Sequence, residues 1–156
     1  MGGAGAAILF LAGCATSTIN EVVGPNPKAV PSTGTDGTLE VYSALSGHTE
    51  GSNPAWYRYS NYTIWDENED WLERVDNAQG HYSTTPALVN LPPGYYLVEG
   101  RAKNGVLMKV PVQIKIGEIT SVYLNGHWQP PTNTPPAKLV SAPGDYSVGW
   151  RVSPGT

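Results

Sequence analysis

The sequence predicts an all-β protein, a single seven-stranded antiparallel β-sandwich with an N-terminal signal and a Pro-rich C-terminal extension. Three observations carry that expectation. From Gly37 onward apolar and polar residues alternate in short runs, turn signals rich in Gly, Pro, Asn and Asp separate the runs, and no stretch keeps a helical period over three turns.

The runs follow in order. Leu39-Glu40-Val41-Tyr42 alternates cleanly. Tyr57-Arg58-Tyr59 leads through Ser60-Asn61 into Tyr62-Thr63-Ile64-Trp65. The acidic stretch Asp66-Glu67-Asn68-Glu69-Asp70 reads as a turn into Trp71-Leu72-Glu73-Arg74-Val75. Ala87-Leu88-Val89-Asn90-Leu91 is closed by Pro92-Pro93-Gly94, and Tyr95 to Ala102 runs to Asn104-Gly105, a strong hairpin signal. Val106, Met108, Val110, Val112, Ile114 and Ile116 then alternate, with Pro111 marking an edge or a bulge. Gly117-Glu118 turns into Ile119 to Leu124. The expected core is Leu39, Val41, Tyr62, Ile64, Leu72, Leu88, Tyr96, Val98, the even-numbered set from Val106 to Ile116, Val122 and Leu124.

The chain has 156 residues, a length for one domain with tails, and its size allows folding without disulfides. Its one Cys excludes an internal disulfide in any case. A net charge of −4 with no run of Lys or Arg argues against nucleic acid as a partner. Five Trp and nine Tyr against one Phe favour aromatics that keep a polar handle.

Ala6-Ala7-Ile8-Leu9-Phe10-Leu11-Ala12 is too short to cross a bilayer, which takes about 20 residues in a helix, but is long enough for the apolar region of a secretory signal. Leu11-Ala12-Gly13-Cys14 resembles the lipobox of bacterial lipoproteins, although residues 1–7 carry no Lys or Arg. In that family the Cys thiol takes a diacylglycerol, the peptide is cut before it, and the new N-terminus is acylated. The resemblance implies a signal peptide over 1–13, lipidation at Cys14, a membrane partner through that lipid, and a place in the cell envelope. Ala15, rather than Asp, after the Cys favours the outer membrane. Residues 14–36, mixed in Ser, Thr, Asn, Pro and Gly, read as a flexible tether, and 37–128 as the sandwich. Residues 129–156 read as a Pro-rich linker and a terminal hairpin, either docked on the sandwich or left as a recognition tail.

Leu91-Pro92-Pro93-Gly94-Tyr95-Tyr96-Leu97-Val98-Glu99 resembles the L-P-x-G-x-Y-x-V-E hairpin of carboxypeptidase-regulatory-like, PEGA and Cna-B-type modules. These are prealbumin-like or Ig-like sandwiches that act as non-catalytic spacers, adhesion elements or packing units. Cna-B modules sometimes carry a Lys–Asn isopeptide. Gly37 to Ser43 holds no Lys to partner Asn125, so none is expected.

Asp66, Asn68 and Asp70 begin like a calcium loop, but Trp71 stands where a Gly is expected and Asn77 where a bidentate Glu is. The stretch therefore reads as a solvated acidic turn, with weak calcium binding as the alternative. His48, His81 and His127 are far apart, and the chain has no G-x-S-x-G, no H-E-x-x-H and no phosphate loop. No catalytic residue, cofactor or enzymatic activity is expected. Trp56, Tyr57, Tyr59, Tyr62, Trp65 and Trp71 crowd together, and Trp56, Tyr59, Trp65 and Trp71 are the candidate ligand-binding residues. If Tyr62 and Ile64 face inward, then Trp65 faces out, as do Tyr95 and Leu97. Such residues fill a core, form a protein or self-assembly surface, or stack on sugar rings. The expected function is a lipid-anchored envelope module for adhesion, assembly or spacing. The alternatives are glycan or peptidoglycan binding through exposed aromatics, and service as an accessory domain of an envelope hydrolase system.

Overall fold

The computed structural model describes residues 16–30, 33–48, 56–77 and 85–152. Cys14 and His81 lie outside them, as do the side chains of His48 and Trp56. The strands are β1 (Ser17–Thr18), β2 (Val23–Gly24), β3 (Gly37–Tyr42), β4 (Leu45–His48), β5 (Trp56–Tyr59), β6 (Tyr62–Asp66), β7 (Trp71–Val75), β8 (Val89–Leu91), β9 (Gly94–Arg101), β10 (Leu107–Ile114), β11 (Ile119–Tyr123), β12 (Leu139–Ala142) and β13 (Tyr146–Arg151). Among the described residues the only helical turns are two three-residue 3-10 turns. The chain is all-β.

A large sheet runs β12-β13-β2-β10-β9-β6-β7, with β1 also on β10. A smaller sheet runs β11-β3-β8, and β4-β5 form a separate ribbon. The two main sheets pack as a sandwich. Alternation decides which side chains meet: Tyr62, Ile64, Val98, Val110 and Val112 from the large sheet and Leu39, Val41 and Val122 from the small one are fully buried.

Strand count and polarity depart from the expected seven antiparallel strands. β1 and β2 pair with β10 in parallel, and β3 pairs with β11 in parallel. The supposed tether is part of the fold. It supplies β1 and β2 and places Ile19 and Val23 in the core. The C-terminal stretch also docks, because β12 and β13 form a hairpin and β13 pairs with β2. Two-residue strands carry too little period to stand out of a polar segment, so the N-terminal pairing was not legible, whereas the expected C-terminal hairpin is present and takes the docked of its two placements. Pro111 explains the gap between β1 and β2. It has no N–H to offer a neighbour, and the N-terminal chain pairs only on either side of it, at Met108–Lys109 and at Val112.

Four expected core residues are exposed: Leu72, Leu88, Val106 and Ile116. Leu88, Val106 and Ile116 lie just beyond strand ends, where alternation no longer dictates direction. Leu72 falls at the register shift in the β6–β7 pairing. Strand β7 is also the edge of the large sheet, and its residues Trp71 to Arg74 are all exposed.

Asn77, two residues after β7, ties that edge to the small sheet. It is buried, and its Nδ2 donates to the Val41 carbonyl (2.8 Å) and to Ser43 Oγ (3.1 Å). Its Oδ1 accepts from Ala87 N (2.9 Å), and Ser43 Oγ in turn donates to the Ser60 carbonyl.

The large sheet has two distinct ends. At one, Asp66 pairs with Tyr96 and Gly94 with Ile114. At the other, Arg101 pairs with Leu107 and the chain enters at Ser17 opposite Met108.

Candidate functional site

With Ile64, Val98 and Val110 inward, the intervening residues face out. Trp65 is register partner to Trp71 on one side and to Leu97 on the other, and Leu97 is opposite Pro111. The result is an apolar strip, Trp71–Trp65–Leu97–Pro111, crossing four strands. Tyr95 lies two residues along from Leu97 and opposite Gln113, whose Nε2 donates to its hydroxyl (3.2 Å). Trp71 is 59% exposed and Tyr95 48%.

Charges frame this strip. Lys109 Nζ sits 5.6 Å from the centre of the Trp65 ring, between Glu69 (3.7 Å) and Glu99 (3.9 Å). At these long separations the pairs contribute little to stability. Their effect is positional, holding the ammonium over the indole face. Trp65 Nε1 and Gln113 Oε1 are buried and have no hydrogen-bond partner among the described residues.

The acidic turn is built by its own first carboxylate. Asp66 Oδ1 accepts from the backbone N–H groups of Asn68 and Asp70, both at 2.9 Å, while Glu69 takes a left-handed conformation (φ 63°). Among the described residues no group of three or more His, Cys, Asp or Glu is placed to hold a metal ion. Asp66 thus serves the turn, and Asn77, at the position of the calcium loop's last ligand, serves the buried tie described above. His127 lines a hollow with Arg101, Lys103 and Asn125, and no carboxylate among the described residues lines it.

Tyr59 belongs to a different group, so the four aromatic candidates do not share one face. It meets Tyr42 edge-on (5.7 Å), Tyr42 stacks on Tyr123 (4.8 Å), and Tyr123 stacks on Trp128 (4.2 Å). Trp128 meets the buried Trp150 edge-on at 5.9 Å. This row packs the stretch after β11 against the small sheet, and aromatic pairs of this kind add about 1 kcal/mol each beyond their buried area. Ser121 Oγ donates to Glu40 Oε1 (2.6 Å) beside it. The row was missed because Trp128 lies in a Pro-rich stretch with no period. Tyr42 and Tyr123 do follow from alternation, as outward residues next to Val41 and Val122.

Burial, with the Glu40 carboxylate as a lesser cause, lifts the Tyr42 and Tyr59 hydroxyls above their ordinary 10.0. Burial likewise raises Tyr62, Tyr96, Tyr123 and Tyr146. Unfolding returns them to the ordinary value, so above about pH 10 the unfolded chain sheds protons that the folded one keeps. Stability to urea is therefore expected to show no tyrosine-linked change up to about pH 9 and to fall steadily above about pH 10. Urea midpoints between pH 8 and 11, followed with tyrosinate absorbance, check this.

Compared with known proteins, the chain matches no family model, no curated protein and no solved structure.

Proposed function

We propose that this chain is a non-catalytic, lipid-anchored protein of the bacterial cell envelope, outer membrane favoured, that serves adhesion or assembly through the strip Trp71–Trp65–Leu97 with Tyr95. The observation that carries the reading is the strip itself. Trp71, on the edge strand, and Tyr95 stand exposed on the outer face of the large sheet, with Trp65 and Leu97 half-buried beside them and charged residues alongside. Contacts of this kind concentrate binding energy in a few Trp and Tyr anchors. The anchor reading rests on Leu11-Ala12-Gly13-Cys14. The kinship with carboxypeptidase-regulatory-like, PEGA and Cna-B modules rests on the 91–99 hairpin, where Tyr96 donates its hydroxyl to the Pro92 carbonyl (2.7 Å) and braces the turn entering β9.

A second reading, glycan or peptidoglycan binding at the same strip, is favoured by the exposed Trp71 and Tyr95 rings, with the exposed Gln113–Tyr95 hydrogen bond placing polar groups beside an aromatic face. Three measurements test these proposals. Wild type should take up radiolabelled palmitate and stay in the membrane fraction through a salt wash, and Cys14→Ser should do neither; a palmitate-labelled Cys14→Ser protein sinks the anchor. Trp71→Ala, at an exposed position, should leave the fold intact and weaken capture of the partner at least tenfold. Tryptophan fluorescence against cell-wall sacculi and soluble glycans separates the readings, since a saturable shift lost in Trp71→Ala assigns the strip to sugars.

A further inference from the structure

The N-terminal chain and the positive charge converge on one end of the molecule. Cys14 is three residues before Ser17, and Ser17 is already paired in the large sheet opposite Met108. Three residues span at most about 11 Å. A lipid on Cys14 therefore holds this end of the sandwich, where Arg101 pairs with Leu107, against the bilayer surface, with no flexible spacer to carry it away.

That end is basic in an otherwise acidic chain. Arg58, Arg74 and Arg101 line a hollow of about 470 Å³ together with Ser60, Asn61 and Asp76. A second hollow of about 510 Å³ shares Ser60 and Arg101 and adds Lys103. Four of the nine basic residues of the chain thus lie here, and among the described residues Asp76 is the one carboxylate lining either hollow. Arg58 and Asp76 have partners of their own, so the argument rests on Arg74, Arg101 and Lys103. All three are exposed, and none pairs with a carboxylate among the described residues. Arg74 reaches Thr63 Oγ1 at 3.4 Å, Arg101 donates to the Gly105 carbonyl at 3.1 Å, and Lys103 lies over the Tyr146 ring. Ser60 lines both hollows, and its Oγ is buried with no hydrogen-bond partner among the described residues. Leu45 (40% exposed) and Val106 (41%) stand at the same end. The opposite end carries the acidic turn Asp66 to Asp70 and, beyond β10, Glu118.

We infer that this basic end is a docking surface for anionic phospholipid headgroups, their phosphates entering the arginine-lined hollow and Leu45 and Val106 meeting the interface. Guanidinium groups suit phosphate because they offer several donors in a fixed plane. The surface sets the protein upright on its own membrane, with the aromatic strip standing off to the side. The orientation rests on the lipid-anchor reading, but the headgroup contact is tested without it.

The test uses full-length Cys14→Ser protein, which carries no acyl chain, with vesicles of phosphatidylglycerol and phosphatidylcholine or of phosphatidylcholine alone. Binding is expected to the mixed vesicles only and to fade as salt is raised. Arg74→Gln, Arg101→Gln and Lys103→Gln together should weaken it on the order of a hundredfold, about fivefold per charge removed. A control with Lys28→Gln, Lys115→Gln and Lys138→Gln changes net charge equally and should bind nearly as well. Thermal melts confirm that both variants fold. Equal binding to neutral vesicles, equal loss in the control, or no binding by folded Cys14→Ser overturns the inference. So does saturation by millimolar inorganic phosphate without vesicle binding, which marks a free-phosphate site instead. Failure of the wild type to take up palmitate defeats the anchor alone and leaves the vesicle result standing.

Discussion

Asn77→Ala is expected to cost about 3 kcal/mol of folding stability, because one truncation removes three buried hydrogen bonds. The side chain is 1% exposed and uses both amide hydrogens and its carbonyl, on Val41 O, Ser43 Oγ and Ala87 N. Its own N–H is held by Asn61 Oδ1 at 3.2 Å. Alanine supplies neither donor nor acceptor and leaves a space too enclosed for water to repair freely. In a chain of this length the loss lowers the melting temperature by roughly 6–12 °C. Asn77→Asp removes the two donors and adds a buried charge, so it should be at least as damaging. Urea unfolding of both variants checks the ordering. If Asn77→Ala costs less than about 1 kcal/mol, β7 is held to the small sheet by something other than this amide.

Asn77 also shows what the sequence could and could not disclose. Its residue type was enough to argue against a calcium loop, since an amide cannot stand in for a bidentate carboxylate. Nothing in the local pattern showed that the same amide spans two sheets, because its partners Val41 and Ser43 lie 36 and 34 residues away. The middle of the chain was legible for the opposite reason. β3, β6, β9, β10 and β11 have five or more residues, enough for alternation to declare which face is buried. The outward placement of Trp65, Tyr95 and Leu97 followed from that alternation alone. Adjacency in sequence misled for Tyr59. It lies six residues before Trp65 but on the separate β4–β5 ribbon, so its ring turns to Tyr42. Lys109 and Gln113 were out of reach as neighbours of the strip, because only the β9–β10 register brings them beside it.

Gly149→Ala is expected to destabilise the fold by about 3 kcal/mol and to do so through Val23. A Cβ at Gly149 lies 2.5 Å from Val23 Cγ1 and 3.1 Å from the Ser121 carbonyl oxygen. Both neighbours are hard to move. Val23 is a fully buried, β-branched side chain held between β10 and β13, and Ser121 O is backbone of β11. Overpacking of this kind costs roughly 1–3 kcal/mol, with the upper end appropriate where a contact falls below 3 Å. Val23→Ala alone should cost about 2 kcal/mol, the loss of two buried methyl groups and the space they leave. Made together, the substitutions relieve each other: the cavity at position 23 admits the methyl at 149, and the double variant should be at least 1 kcal/mol more stable than the sum of the singles predicts. Additive losses would mean that the Ser121 carbonyl alone rejects the methyl. The cycle also probes the architecture, because β2 is the strand that joins the β12–β13 hairpin to the rest of the large sheet. In Val23→Ala, amide exchange should therefore rise first in Leu139 to Arg151, while the β9–β10 pair stays protected. An N-terminal segment with only tether duty could be altered at Val23 with no effect on a hairpin more than a hundred residues away, so the exchange pattern separates a strand from a leash.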